Sequence, residues 1–262
     1  MKVGRSWLFI LMALVFTRSV YGQQNLFNVP SSDITLKSKP FFQQQFNISP
    51  GLLQLNSTFC WGLGKEAEVG LNILGFNLKT TDNISIQTNG DLNSQPVYPF
   101  CTVNFQKAFT ISRLFKFAVG TQTGFSKDLH LGTYNYVNLV TALPTRSKMV
   151  TGIYQGSKTF LGEGARNEIF AADQFGFQIG LEQEIIEEQL TFIAENISGR
   201  HSLGETTLGL AYYIFPHWAL SCGYQFGNPK SDAVNALVLE LTYVPSAHIH
   251  KKLFREGHHQ KT

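Results

Sequence analysis

The chain has 262 residues, a formal charge of +3, and only 15% charged residues, against the roughly 25% of ordinary soluble domains. Phenylalanine (22) and glycine (23) are abundant, yet mean hydropathy is close to zero, so apolar and polar side chains are mixed in nearly equal weight. The charge balance argues against a nucleic-acid surface, and three cysteines without CxxC or Cys/His spacing (Cys60, Cys101, Cys222) argue against a disulfide framework.

Residues 1–22 read as a secretory leader. Lys2 and Arg5 give a basic start, Trp7–Phe16 are ten consecutive apolar residues, and Val20-Tyr21-Gly22 offers a cleavage site. Ten apolar residues are too few for a helix across ~30 Å of hydrocarbon. Losing Lys2, Arg5 and Arg18 removes the whole formal surplus and leaves 240 residues, a length that suits one domain. Residues 23–40 are expected to form a lead or partial plug, residues 41–245 the domain, and residues 246–262 a basic, His-containing tail.

From about Phe41 to Val244 the polarity alternates with period two. In Gln174–Glu182, Phe175, Phe177, Ile179 and Leu181 fall on one face, and Gln174, Gly176, Gln178, Gly180 and Glu182 on the other. Val69, Leu71 and Ile73 oppose Glu68, Gly70 and Asn72, while Trp218, Leu220, Cys222, Tyr224 and Phe226 oppose Ala219, Ser221, Gly223 and Gln225. About twelve such strands are expected, near 41–48, 51–60, 66–77, 100–110, 113–124, 130–142, 147–158, 174–184, 188–196, 204–214, 217–226 and 234–244. The gaps between them sort by parity. Brief turns at Trp61–Lys65, Thr110–Arg113, Leu143–Ser147, Ile185–Glu187 and Phe215–His217 face longer loops at Lys79–Pro99, Thr159–Asp173, Ile197–Leu203 and Gly227–Ala233, with Ser49-Pro50 as the short exception. A soluble sandwich has no reason to sort its loops this way. The pattern predicts an all-β fold, an antiparallel transmembrane β-barrel in the outer membrane of a Gram-negative cell, with lipid as its surroundings.

The run Trp61-Gly-Leu-Gly-Lys-Glu-Ala-Glu-Val-Gly-Leu-Asn-Ile-Leu-Gly75 resembles the strand–turn–strand signature of the phenol-degradation-associated (MetA-pathway-like) transporter family, over about Gln54–Gly75. The resemblance implies an outer-membrane channel for small solutes, hydrophobic ones included, with no assigned cofactor.

The polar faces carry the functional expectation. Gln43, Gln45, Gln54, Asn56, Asn72, Asn104, Gln106, Gln122, Gln178 and Gln225 should line the lumen, with few charges: Glu68, Lys116, Glu182 and Glu240. Charged rings select ions. An amide-rich lumen suits neutral cargo, or a lumen filled by hydrogen-bonded side chains. Gly176, Gly180 and Gly223 should leave space around Gln178 and Gln225.

Other chemistry is thinner. His201-Ser202 in a long loop, with His130 near the same rim, could serve a lipid hydrolase, but adjacent residues on an extended chain point apart. Gly62-Leu-Gly64-Lys65 lacks the first glycine and the Ser/Thr of a phosphate loop and reads as a turn. His248, His250, His258 and His259 could hold a metal only weakly, and no metal site is assigned. Asn47, Asn56, Asn83 and Asn196 head N-x-S/T sequons, three of them in or beside predicted strands. The leading reading is a non-enzymatic, passive channel for small neutral or hydrophobic solutes. A rim-sited lipid hydrolase and a closed structural or adhesive barrel are the alternatives.

Overall fold

Alternation can be satisfied in a bilayer only if every strand edge is paired, because lipid offers no hydrogen bonds to a bare edge. The chain meets that demand by closure. In a computed structural model that describes residues 25–81, 83–94, 96–143, 146–162 and 174–245, thirteen strands form one antiparallel sheet. They are β1 (Pro40–Ser49), β2 (Leu52–Gly64), β3 (Ala67–Lys79), β4 (Ser85–Gln87), β5 (Phe100–Thr110), β6 (Phe115–Ser126), β7 (Leu131–Leu143), β8 (Ser147–Gly156), β9 (Phe175–Ile186), β10 (Leu190–Ile197), β11 (Glu205–Phe215), β12 (Trp218–Gly227) and β13 (Ala236–Tyr243). β4 is a three-residue addition in the loop after β3. The other strands pair with their neighbours around the ring, and β1 meets β13 from Phe42↔Tyr243 to Ile48↔Leu237, closing a twelve-stranded barrel. The leader at residues 1–22 and the tail at 246–262, with its four histidines, lie outside the described residues.

Burial is inverted relative to a soluble protein. Phe59, Leu71, Ile73, Val103, Phe105, Phe177, Ile179, Leu208, Leu210, Leu220 and Tyr224 are exposed, while Gln43, Gln45, Asn72, Gln106, Gln178, Glu182, Glu195, Glu240 and Thr242 are buried. Water would penalise that arrangement, and hydrocarbon outside a polar lumen requires it. A closed barrel with an apolar belt places the chain in an outer membrane.

The turns explain the sharp ends on one rim. Lys65 and Glu66 connect β2 to β3 with both φ positive (52° and 56°), the handedness of a two-residue hairpin. Neither is glycine. The neighbouring strand holds the strained pair, since Thr110 donates to the Glu66 carboxyl through its amide (3.2 Å) and its hydroxyl (2.5 Å). Gly62-Leu-Gly64-Lys65 is therefore the end of a strand and a hairpin turn. On the opposite rim the loop sorting is less strict than expected: the connection from Ser126 to Leu131 is brief, like that at Pro50-Gly51. Among the sequons, Asn47 and Asn56 face the lumen, where a glycan has no room.

Candidate functional site

The ladder registers assign an inner face to each strand. Opposed pairs Gln45↔Asn56, Asn47↔Gln54, Gly62↔Glu68, Thr58↔Asn72, Glu68↔Gln106, Asn104↔Gln122 and Thr110↔Lys116 carry the inner set from β1 to β6. Gly152↔Gln178, Lys148↔Glu182, Thr207↔Gln225, Ser221↔Glu240 and Gln43↔Thr242 carry it round to β13 and back. Every one of the fourteen residues singled out in the sequence lies on this face.

The lumen is not empty. Residues 25–36 run inside it. The segment enters at the short-turn rim, where a Cβ on Gly62 would meet the Leu36 carbonyl oxygen at 2.0 Å. It passes Glu68, whose carboxyl accepts from the Thr35 amide (2.7 Å), and Gln106, which donates to the Asp33 carbonyl (3.2 Å). Asp33 and Glu182 both pair with the buried Lys148 ammonium, at 2.5 and 2.8 Å. Asn138 donates to the Pro30 carbonyl (2.8 Å). The segment then turns over the Glu195 carboxyl, which accepts from the amides of Phe27 (3.1 Å), Asn28 (2.8 Å) and Val29 (2.9 Å). Asn28 reaches Glu205 at 2.6 Å. These partners sit on β3 and β5 near the entry and on β7, β8, β9, β10 and β11 beyond it.

Its apolar residues have a socket. Leu26, Phe27 and Val29 are buried against Val140, Val150, Ile193, Ile197, Ala211 and Val238 on the inner wall. Glycines shape the socket: a Cβ on Gly180 would lie 2.8 Å from Leu26, and one on Gly209 or Gly223 within 2.9 Å of the Phe27 ring. The space expected beside Gln178 and Gln225 is thus taken by the segment at Gly180 and Gly223 and by Tyr154 at Gly176. Gln178 itself is buried, accepting from the Tyr134 hydroxyl (2.7 Å) and donating to Asn138 (2.6 Å).

The segment leans on the β7–β12 side. Away from the rims, the polar inner side chains left partly accessible are Gln54, Asn56 and Thr58 on β2, Asn104 on β5 and Gln122 on β6, with Lys116 at the turn rim. Gln43, Gln45, Glu68, Asn72, Gln106, Gln178, Glu182, Gln225 and Glu240 are buried. Between the segment and this uncovered wall lies a polar cavity of about 20 Å³, lined by Asn25, Thr58, Cys60, Glu68, Asn72, Asn104, Gln106, Gln122 and Tyr136. It has room for about one water molecule. Asn104 donates to Asn72 across it at 2.7 Å.

The long-loop mouth is narrowed as well. A short helix, α1 (Lys158–Leu161), tucks Leu161 over Gly156 and sets the Phe160 ring tilted against Phe100, centroids 5.2 Å apart. Ser202 donates to the Leu161 carbonyl (2.9 Å), while His201 pairs with the Tyr154 hydroxyl through Nε2 and accepts from the Leu203 amide through Nδ1 (3.2 Å). Burial pushes the His201 imidazole down to about 4, against an opposing backbone hydrogen bond at Ser198. His130 pairs with the Gly90 carbonyl. Serine and histidine thus have separate structural partners, and neither is aimed at the other. All three cysteines are free, Cys60 inward and Cys101 and Cys222 outward.

Asp33, Lys148, Glu195, Glu205, Tyr134 and Asn138 escaped the sequence reading. On β10 the inner set is Ile193, Glu195 and Ile197 and the outer set includes Phe192 and Ala194, so polarity does not assign the face. β8 is ambiguous in the same way, with Lys148, Val150 and Tyr154 inside. The only signal was a segment after the leader with clustered apolar residues at Leu26, Phe27 and Val29.

Neither a protein-family model nor a curated protein matches this sequence. Among solved structures, the chain is similar to the NanC porin, at 9% identity over 79% of this chain and 98% of that one, with a TM-score of 0.51. At that identity the likeness bears on the fold alone, and the fold is a porin-like antiparallel barrel. DcaP, an outer-membrane channel of Acinetobacter baumannii, aligns over 80% of this chain and 98% of that one at 10% identity with a TM-score of 0.29, too low to bear on the fold.

Proposed function

We propose that the chain is an outer-membrane channel for small, neutral, polar solutes, and that its path is the uncovered wall of β2, β5 and β6. The observation that carries this reading is the division of the lumen. One side is packed by residues 25–36, and the other leaves Asn56, Thr58, Asn104 and Gln122 accessible, all uncharged and able both to donate and to accept. The buried inner charges are engaged elsewhere, Lys148 with Asp33 and Glu182 and Glu195 with three backbone amides, which leaves Lys116 at the turn rim as the charge beside this wall. The resemblance to phenol-degradation-associated transporters would favour a hydrophobic cargo, but an amide-lined cavity matches such cargo poorly. The narrow cavity implies that passage needs the internal segment to shift.

Liposomes containing the refolded protein should swell in small neutral solutes, faster when residues 25–36 are deleted and slower with Gln122→Trp or Asn104→Trp. The filled side of the lumen favours a second reading, a barrel closed for good whose loops do the work. Tight liposomes with both the full chain and the deletion would select that reading and reject the channel.

A further inference from the structure

Among the described residues the outer belt is mainly apolar, and apart from Gln183 and Asn196 near the strand ends it carries amides in two places. One is Gln44 on β1, which is self-contained. Both of its N–H groups are used, on the carbonyls of Gln45 (3.1 Å) and Asn56 (3.2 Å), and its oxygen accepts from Ser57 (2.5 Å). The other is not. On β6, β7 and β8, Thr121, Thr123, Thr133, Asn135 and Gln155 are outward neighbours through Thr121↔Asn135, Thr123↔Thr133 and Asn135↔Gln155. Thr121 donates to the Asn135 oxygen (2.7 Å) and Asn135 donates to the Gln155 oxygen (2.9 Å). Each primary amide has two N–H donors. Asn135 uses one of them among the described residues, and Gln155 spends one at 3.5 Å on Gln174.

The patch begins within the belt, at Asn135 and Thr121, and runs to Gln155, the second-last residue of β8, at the long-loop rim. Asn135 is midway along β7 between outward Leu131 and Leu139, and Thr121 midway along β6 between outward Phe117 and Phe125. Leu131, Phe125, Leu139 and Ile153 around it are all exposed. Amide donors facing hydrocarbon are costly, and membrane proteins place such groups where another protein covers them.

We infer that two copies of this chain associate in the membrane through the outward face of β6–β8. The occupant is a second copy because the patch is complementary to itself. Asn135 and Gln155 each present a donor and an acceptor, so the same two amides on a facing barrel satisfy them. A two-fold axis along the bilayer normal keeps both copies in one orientation and sets the patch against itself. The short side chains of Thr121, Thr123 and Thr133 let the walls approach closely.

The test uses the full-length protein. In mild detergent its mass should be that of a dimer, and Asn135→Leu with Gln155→Leu should weaken association at least about tenfold while leaving a heat-modifiable barrel. Independently, Thr121→Cys in a Cys60→Ala, Cys101→Ala, Cys222→Ala background should give a cross-linked dimer in native membranes, and Gln44→Cys should not. A monomer mass for the unaltered protein, undiminished association of the double variant, cross-linking equally efficient at Gln44→Cys, or capture of a different protein at Thr121→Cys would each overturn the inference.

Discussion

The hold of the internal segment concentrates on Glu195, and Glu195→Gln measures it. The carboxyl accepts three backbone N–H groups, from Phe27 and Val29 on one oxygen and from Asn28 on the other. An amide in the same place has one acceptor oxygen. In its better orientation that oxygen keeps Phe27 and Val29, and the new –NH2 faces the Asn28 amide, donor against donor. One buried N–H without a partner costs about 1–3 kcal/mol, and the two retained bonds weaken as the acceptor loses its carboxyl character, so the segment should lose roughly 2–4 kcal/mol of hold. At 1.4 kcal/mol per tenfold, its released population rises about 30- to 700-fold. Leu26, Phe27 and Val29 remain in their socket, and the barrel, whose ladders are untouched, should still form. Hydrogen exchange of the detergent-solubilised protein reads the change directly: the amides of Phe27–Val29 should exchange faster while those of β5–β7 do not. Conductance events in planar bilayers should become more frequent. If those amides keep their protection in a correctly folded Glu195→Gln barrel, Glu195 does not hold the segment.

Removing the Lys148 ammonium with Lys148→Met leaves Asp33 and Glu182 buried together, and should lower the resistance of the barrel to thermal unfolding by about 3–5 kcal/mol, a loss that Asp33→Asn combined with Lys148→Met should partly restore. Phe177→Lys places a charge on the lipid face and should cost roughly 2–4 kcal/mol if it lies at the bilayer midplane, whereas Gln122→Lys on the uncovered inner wall should fold normally and shift ion preference toward anions; equal folding defects would show that the two faces are misassigned. Gln178→Lys, by contrast, should misfold, because Gln178 is buried between Tyr134 and Asn138. His201 binds no proton in the folded protein until about pH 4, while an unfolded histidine takes one near pH 6.5. Its contribution is therefore full above about pH 6.5 and is lost as pH falls toward 4, by up to about 3 kcal/mol. Exchange protection of residues 198–204 should fall over that window and His201→Gln should flatten the change; an identical pH profile in that variant would remove His201 as the cause.

The closed barrel was legible because lipid imposes one rule on every strand. Outward residues must be apolar and every edge must be paired, so alternation from about Phe41 to Val244, with loops largely sorted by parity, leaves a single architecture. The same rule gives the phase of strands such as Phe175–Ile186 and Trp218–Gly227, whose inner faces are polar or glycine. It fails at Leu190–Ile197 and Ser147–Gly156. There the inner wall is itself partly apolar, because Ile193, Ile197 and Val150 pack against Leu26, Phe27 and Val29 rather than water. A one-dimensional pattern records how polar a neighbour is, and not whether that neighbour is solvent, lipid or a distant part of the chain. For the same reason Gly176, Gly180 and Gly223 read as open space in the sequence and are filled in three dimensions, by Tyr154, Leu26 and Phe27. Which amides remain accessible and which are buried depends on where residues 25–36 lie, and only tertiary structure decides that, through contacts such as the hydrogen bond from Phe27 to Glu195, which spans 168 positions of the chain.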